Sequence, residues 1–521
     1  MRGVHSAVDN IRRSVFTEVA RLAYQGGDYA SVDTIPYRLI PGEIAHHRHD
    51  VFLERAVIAT RVRLALGMDL LNSKGPSIPL SVRIQEAATD QKYFNEPLVN
   101  IIPHACNACP PKQIRITDSC QGCISHPCMA VCPKNAIYLD GDKRCHIDQS
   151  KCVKCGKCFN QCPYWAISKI ERPCAAACGM DAIESDELGR ARINYDKCVS
   201  CGMCLVNCPF GAIADKSQIF QVIQAYNRDE EVIACVAPAF VGQFGKAATP
   251  GKLKAAMRLL GFADGGEVAI GADLCTVEEA QDFLDEVPEK LDWMGTSCCP
   301  AWSLMAKKLF PQFKENISVA LTPMVITARR GKRDHPDARI VFIGPCAAKK
   351  LEAIRKSVRS DVDFVLTFEE LQGMFDAKDI DFETLEAAPG DDLDEGSAMG
   401  RGFASSGGVA AAVVEAVHHI APSVQMKYMA AEGLRDCRKM LMLAKAGKYD
   451  GYLLVGMAGP GGCVAGAGTF ASVRDGAAAA ERFRMQAAEK STVSSPYLDR
   501  LEEVIESGAE TPAPAKSAEE Q

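Results

Sequence analysis

The feature that most constrains this chain is a set of regularly spaced cysteines in its N-terminal half. Of the 24 cysteines among 521 residues, none precedes Cys106 and seventeen lie between Cys106 and Cys208. Runs of four, each closing on Cys-Pro, span residues 120–132, 152–162 and 198–208. This spacing is typical of thiolates that bind [4Fe–4S] clusters, whereas structural zinc takes its four ligands as two separated pairs. The spacing predicts a separate cluster-binding module, stabilised by metal ligation because so small a unit buries little apolar surface.

The order of the cysteines predicts how they divide among clusters. In bacterial two-cluster ferredoxins the fourth cysteine of each run binds the other cluster. The first two runs then form one cluster through Cys120, Cys123, Cys128 and Cys162, and another through Cys132, Cys152, Cys155 and Cys158. A second ferredoxin-like unit has one complete run, at 198–208, and a partner reduced to Cys174 and Cys178. It predicts a third cluster held by Cys178, Cys198, Cys201 and Cys204, and a fourth held by Cys106, Cys109, Cys174 and Cys208. The alternative for Cys106 and Cys109 is that they are free or bind something minor. Cys145 remains, and we interpret it as a packed free thiol.

The C-terminal half carries three further cysteine motifs, each after an apolar run that ends in Gly, Pro or Ser. The runs cover residues 291–294, 340–343 and 452–455, and the motifs read TSCCPAW from Thr296, PCAAKKLE from Pro345 and MAGPGGC from Met457. Apolar runs that alternate with helical patterns, from about residue 231 to 507, predict α/β layers with buried parallel strands. Because ligands usually lie beyond the carboxyl ends of such strands, we expect the three motifs to meet in one crevice between two sheet lobes.

These motifs resemble the signatures of the iron-only ([FeFe]) hydrogenases, in particular of their shorter, clostridial-type (group B-like) branch. The first two motifs match at every fixed position, whereas Gly459 stands where the family has a cysteine. The resemblance implies an α+β ferredoxin-like cluster module joined to an α/β two-lobed iron hydrogenase catalytic domain. The expected division is a mostly helical region at 1–100, a double ferredoxin-like [4Fe–4S] module at 101–225, the catalytic domain at 226–507 and a disordered tail at 508–521.

The resemblance also implies a fifth [4Fe–4S] cluster in the catalytic domain. Its expected ligands are Cys299, Cys346 and Cys463, and Cys463 would bridge it to a diiron subcluster with CO, CN and dithiolate ligands. The fourth thiolate is missing at Gly459. Cys275 and Cys437 are candidate substitutes, and for each of them the alternative is a buried thiol that binds no metal.

Further residues receive roles from the same resemblance. Cys298 is expected to transfer protons without ligating the cluster, because a thiol can donate and accept a proton when its surroundings tune its pKa. Glu279 would continue the proton path, and Lys349 would direct its ammonium towards a cyanide ligand. The residues expected to complete the pocket are Pro238, Ala239, Glu352 and Met457. The alternatives are an exposed helix face for Glu279 and a solvent-exposed ion pair for Lys349 and Glu352.

The activity implied by the resemblance is reversible formation of H2 from protons, with electrons from ferredoxin or a similar carrier. Hydrogenase maturation proteins would be further partners. The alternative is a catalytically impaired redox or H2 sensor, or an electron-transfer protein, that lost a ligand at Gly459. An assembly protein of the related eukaryotic type is disfavoured by the intact TSCCPAW motif. A net charge of -7 argues against nucleic-acid binding, and without a long apolar run or a secretory leader we expect no membrane span and a cytoplasmic location.

Overall fold

The structure is a computed structural model that describes residues 6–71 and 78–506. The expected disordered tail from residue 508 lies outside these described residues. The described chain comprises an N-terminal helical region, a module of short strands and helices, and a larger α/β region.

The N-terminal region is helical, as the spacing of its apolar residues predicts. Its helices are α1 (Ala7–Gln25), α2 (Ile35–Leu39), α3 (Val51–Ala65) and α4 (Ile84–Ala87). Helix α1 begins with a capping box in which Ser6 and Asp9 satisfy each other's backbone N–H groups. Buried residues of α1, including Val15 and Val19, belong to the same apolar core as the larger sheet of the C-terminal region. The helical region therefore packs onto the C-terminal region rather than standing apart from it.

The cysteine-rich module is built from short elements between residues 99 and 215. They are β1 (Val99–Ile101), β2 (Gln113–Ile116), α5 (Pro127–Ala130), β3 (Ile137–Leu139), β4 (Cys145–Ile147), α6 (Lys157–Gln161), β5 (Ile167–Ile170), α7 (Pro173–Ala176), β6 (Ile183–Ser185), β7 (Ala191–Ile193), α8 (Met203–Val206) and β8 (Ile213–Asp215). The strands form four antiparallel pairs, β1 with β8, β2 with β5, β3 with β4 and β6 with β7. Each pair is only three or four residues long, so the packing around the cysteines must hold the module together.

The C-terminal region alternates strands and helices. Its first elements are α9 (Ile219–Asn227), β9 (Val232–Val236), α10 (Pro250–Leu260), β10 (Asp264–Glu267), α11 (Ala269–Glu286), β11 (Trp293–Gly295), α12 (Pro300–Leu309), α13 (Pro323–Asp334), β12 (Arg339–Gly344) and α14 (Ala348–Ala353). They are followed by β13 (Phe364–Thr367), α15 (Phe368–Ala377), α16 (Ala398–Gly402), α17 (Gly408–Ile420), β14 (Lys427–Glu432), α18 (Leu434–Ala444), β15 (Tyr452–Met457), α19 (Val473–Gln486) and α20 (Leu501–Glu506).

The strands of this region form two parallel sheets, as the sequence predicts. One sheet has the order β10-β9-β12-β13 and the other the order β11-β15-β14, and every pairing within them is parallel. The carboxyl ends of β9, β11, β12 and β15 each lead directly into a loop that lines one shared cavity. The predicted crevice between two sheets is therefore present, and the predicted fold class is confirmed.

A buried lysine joins the cysteine-rich module to the α/β region. Lys350 is fully buried, and its ammonium lies 2.8 Å from Asp215 of β8 and 2.7 Å from Glu370 of α15. It also donates to the carbonyl of Lys216, 2.7 Å away. Burial by itself lowers the pKa of Lys350, but the charges of Asp215 and Glu370 raise it above its usual value, so the lysine stays charged.

We expect Lys350→Met to destabilise the protein by about 3–5 kcal/mol, because it leaves two buried carboxylates without their counter-charge. Denaturant-induced unfolding, followed by the loss of cluster absorbance, would measure this change. Lys356→Met is the matched control, since Lys356 is an exposed lysine in the same part of the chain. Equal midpoints for the two variants would contradict a joining role for Lys350.

Candidate active site

The cavity at the strand ends is lined by eight of the ten residues that the sequence predicts for a site in the C-terminal half. Ala237, Pro238 and Ala239 follow β9, Cys298 and Cys299 follow β11, and Cys346 and Lys349 follow β12. Met457 ends β15, and Cys463 closes the loop after it. Phe342, Phe403 and Met324 add apolar side chains to the wall. Four strand ends thus place three predicted ligand thiols, one further thiol and one ammonium around the same space.

The thiols of this cavity are held in a strongly buried environment. Burial, with the charges of neighbouring thiolates, raises the pKa of Cys346 to about 11 and that of Cys463 to about 12. Burial also raises the pKa of Cys299, and it raises that of Cys298 well above its usual value. Without a metal these thiols remain protonated at neutral pH, so a bound cation is what would stabilise them as thiolates.

Lys349 and Glu352 form a buried ion pair rather than a solvent-exposed one. Their Nζ and Oε2 atoms are 2.8 Å apart, and their side chains are only 11% and 3% exposed. The Thr322 hydroxyl donates to Glu352 at 2.5 Å and accepts from Lys349 at 3.3 Å. Burial lowers the pKa of Lys349, yet the charge of Glu352 raises it overall. Because an ammonium has three donors, Glu352 and Thr322 leave one N–H bond of Lys349 for the cavity.

Glu279 is a buried acid behind Cys298, not part of an exposed helix face. It lies on α11 with no exposure, and its Oε1 accepts from the Ser297 backbone N–H at 2.8 Å and contacts the Ser297 hydroxyl at 3.2 Å. Its Oε2 has no hydrogen-bond partner within the described chain. Burial raises the pKa of Glu279 to about 7, and the Glu279 charge is among the causes that raise the pKa of Cys298. Glu279 can therefore hold or release a proton near neutral pH.

We expect the Glu279 carboxyl to titrate near pH 7, because burial disfavours its charged form. It should be protonated below that pH and ionised above it, well beyond the range of an exposed glutamate. Infrared difference spectra between the wild type and Glu279→Gln would measure this, as a carboxylic-acid carbonyl band that persists to about pH 7 only in the wild type. Glu289→Gln, at an exposed position, is the control. A band that disappears near pH 4.5 would contradict the assignment.

Three of the four predicted cysteine sets of the module each line a separate cavity. One cavity is bounded by Cys106, Cys109, Cys174 and Cys208, a second by Cys120, Cys123, Cys128 and Cys162, and a third by Cys132, Cys152, Cys155 and Cys158. Cys145 also borders the second cavity, with its sulfur 3.7 Å from that of Cys128. All 24 cysteines are free. Within the described ranges, no three Cys, His, Asp or Glu side chains are grouped as ligands of a single metal ion.

The fourth set consists of Cys178, Cys198, Cys201 and Cys204. It lies where the module meets the α/β region, since three of these cysteines pack against an apolar cluster that includes Leu434. Burial and the charges of Cys178 and Cys198 raise the pKa of Cys201 to about 12, and Cys299 of the strand-end cavity adds to this effect. The charge of Cys174, from the neighbouring set, likewise acts on Cys204. This set is therefore close both to the strand-end cavity and to the outer cysteines.

Close backbone contact brings this set near the cavity. A Cβ atom at Gly179 would lie 2.5 Å from the Leu434 Cβ and 2.8 Å from the backbone nitrogen of Arg435. Only a residue without a side chain fits here, next to Cys178 and against the start of α18. Glycine at this position thus permits the module and the α/β region to approach each other.

We expect Gly179→Val to weaken this contact by about 1–3 kcal/mol, the usual cost of overpacking a close contact. It should also slow electron transfer between the module and the cavity, because the two must separate to admit the side chain. Stopped-flow reduction of the purified protein would measure the rate. Gly141→Val, at a glycine with no atom near its Cβ position, is the control. Identical rates in the two variants would contradict this role for Gly179.

Two residues of the site were not predicted from the sequence. Ser297 connects the TSCC motif to Glu279, and its place next to Cys298 was the one available signal. Thr322 contacts both members of the buried ion pair from the start of α13, and no local pattern marks it.

The model of the iron-only hydrogenase large subunit, C-terminal domain, matches residues 230–467, which hold the four strand ends. This stretch of the chain is similar to iron-only hydrogenases. Residues 119–166 match a 4Fe–4S dicluster domain, and residues 168–219 match an Fe–S cluster-binding domain. The predicted iron–sulfur module is therefore confirmed.

Two hydrogenases match the chain over part of its length. Iron hydrogenase 1 of Clostridium pasteurianum is 30% identical over 344 residues, which are 60% of this chain and 58% of that protein. The periplasmic [Fe] hydrogenase large subunit of Nitratidesulfovibrio vulgaris is 30% identical over 262 residues, 42% of this chain and 62% of that protein. The chain thus matches roughly three-fifths of the length of these relatives.

Part of the chain is also similar to a protein that is named as an assembly factor rather than as a hydrogenase. A cytosolic Fe–S cluster assembly factor of Kluyveromyces lactis is 34% identical over 100 residues, 19% of this chain and 21% of that protein. As for membranes, no helix among residues 6–71 and 78–506 combines the length and apolarity needed to cross a bilayer.

Proposed function

We propose that this protein is a hydrogenase that forms H2 reversibly from protons, with electrons delivered by ferredoxin or a similar carrier. The observation that carries the proposal is the convergence of Cys298, Lys349 and three ligand thiols on one buried cavity at the strand ends. A chain that retained only the scaffold would not need a buried, counter-charged lysine or a protonatable acid behind Cys298.

The residues present fit the cofactors that this function requires. Four sets of four cysteines support four [4Fe–4S] clusters in the module, and Cys299, Cys346 and Cys463 support a fifth cluster at the cavity. When bound, a diiron subcluster with CO, CN and dithiolate ligands supplies the site where protons and electrons combine. Cys463 would bridge the two parts, and hydrogenase maturation proteins would install the diiron unit.

The protein's own groups then move protons and fix charge. Cys298 lines the cavity and would pass a proton between the cavity and Glu279. The Glu279 carboxyl can hold that proton near neutral pH. Lys349 would donate a hydrogen bond to an anionic ligand in the cavity, while Glu352 holds its ammonium in place. Pro238, Ala239 and Met457 would exclude water, since they contribute apolar surface to the wall.

The module would carry electrons between the surface and the cavity. Cys201 lies near Cys299, and Cys204 lies near Cys174 of the neighbouring set, which supports a path through the two sets closest to the cavity. The outer sets include exposed positions such as Cys155, where a carrier protein can approach. The large number of free thiols supports a reducing compartment, and we place the protein in the cytoplasm.

One observation favours a second function. Gly459 removes a thiolate that the family uses, and loss of an anionic ligand alters the potential and lifetime of a cluster. A redox or H2 sensor, or an electron-transfer protein, would tolerate that loss better than a catalyst.

The test is a gas assay on protein matured anaerobically with the hydrogenase assembly factors, combined with an infrared spectrum. We expect bands of metal-bound CO and CN and production of H2 from a chemically reduced donor. Cys298→Ala should keep the bands and lose about 10²–10⁴-fold in rate, because it removes a proton-transfer group and no ligand. Cys235→Ala, a buried thiol outside the cavity, should keep both. Bands without H2 would favour the sensor, and absence of both would overturn the proposal.

A further inference from the structure

The loop after β15 carries Gly459 where the family has a cysteine, and it leaves no room for a side chain at that position. A Cβ atom at Gly459 would lie 2.7 Å from the carbonyl oxygen of Gly462 and 2.9 Å from that of Ala465. Both are backbone atoms, so they cannot turn aside as a flexible side chain can. The loop is held in this form by a hydrogen bond from the Gly461 N–H to the Glu432 carboxylate, at 2.7 Å. A cysteine side chain would therefore not fit at position 459 of this loop, so the position is not a vacant thiolate site.

A different buried thiol lies against the same loop. Cys437 is in the first turn of α18 and has no exposure. Its sulfur is 3.6 Å from the carbonyl oxygen of Met457, the residue two positions before Gly459. The first turn of α18 is fixed there because the Gly433 N–H donates to that same carbonyl at 2.8 Å. The pairing of Glu432 with Met457 in adjacent parallel strands sets this placement.

Cys437 also lies near Cys299, one of the predicted ligand thiols. Burial raises the pKa of Cys437, and the nearby Cys299 sulfur raises it further when that thiol is ionised. The Ala458 N–H, next along the loop, donates to the Cys299 sulfur. Cys437 belongs to the buried cluster that Cys299 and Cys346 pack against. Two adjacent residues of this loop thus contact the two cysteines, Met457 with Cys437 and Ala458 with Cys299.

The other spare thiols of this half do not meet this condition. Cys275 has Glu279, Cys298, Glu278 and Lys349 as its neighbouring ionisable groups, and it packs in a separate apolar cluster with Leu274 and Ile326. Cys235, on β9, has Arg330 and Glu395. These neighbours do not include Cys299, Cys346 or Cys463.

We propose that Cys437 is the fourth thiolate of the four-iron cluster at the strand ends, in place of the cysteine that the family carries at the position of Gly459. This inference rests on the proposed cofactor and names the ligand that completes it. In the absence of metal, Cys437 is a neutral thiol that can donate to the carbonyls of Met457 and Ala431. Ligation forms one Fe–S bond and releases one proton. It also requires the side chain to turn away from these carbonyls into another staggered rotamer.

Ligation by Cys437 gives the glycine at position 459 a structural explanation. With four thiolates the cluster keeps its full charge, so the altered motif relocates a ligand rather than removing it. Glycine is then retained because the loop passes close to the backbone of residues 462 and 465, where a side chain would collide.

The experiment uses the full chain produced anaerobically without maturation proteins, so that only four-iron clusters form. Iron and sulfide are counted, and the protein is then treated with ferricyanide and examined by electron paramagnetic resonance. A four-iron cluster with one non-thiolate ligand readily loses that iron, which yields a three-iron signal. We expect the wild type to resist this loss at the strand-end site. Cys437→Ala and Cys437→Ser should give the three-iron signal or bind one cluster fewer.

Two controls separate the possible failures. Cys299→Ala should lose the strand-end cluster, and Cys235→Ala should match the wild type. If Cys299→Ala loses the cluster while both Cys437 variants match the wild type, the proposal for Cys437 is wrong and the proposed cofactor stands. If Cys299→Ala also matches the wild type, no cluster forms there and both fail.

A double variant guards against a mere folding defect. Circular dichroism should show that Cys437→Ala remains folded. Adding Gly459→Cys to Cys437→Ala should not restore the cluster, because the Cβ of residue 459 collides with backbone. Restoration would overturn the proposal by showing that position 459 is an open thiolate site.

Discussion

Everything at this site depends on the carboxyl ends of parallel strands from two different sheets meeting at one cavity. Strands β9 and β12 come from one sheet, and β11 and β15 from the other. Each strand ends in a tight loop, so thiols from distant parts of the sequence become neighbours while each remains deeply buried. That burial raises the pKa of every thiol there, so thiolates in the cavity would need a cationic iron–sulfur core to neutralise them.

The second requirement is that the cysteine-rich module stays fixed against this cavity. The buried Lys350 holds carboxylates from the module and from the α/β region, and Gly179 lets the backbones touch. Cys201 is thereby placed near Cys299. The same start of α18 that receives Gly179 also carries Cys437, so module docking and the proposed fourth ligand share one element.

Much of this was predictable, because spacing and periodicity are local signals. The cysteine runs predict the iron–sulfur module. The runs before the three motifs lie within or beside β11, β12 and β15. What sequence could not provide depends on contacts between distant residues. Thr322 reaches Lys349 across 27 positions, and nothing near Cys437 in the sequence distinguishes it from a buried thiol. The ligand roles of the cysteines remain predictions.

The most direct test is anomalous diffraction at the iron edge from crystals of the full chain, purified without oxygen. The account predicts iron in each of the four cysteine sets of the module and a further iron cluster enclosed by Cys299, Cys346 and Cys463, with density reaching Cys437. Iron in the module with none at the strand ends would contradict the central claim that this cavity is a cluster site.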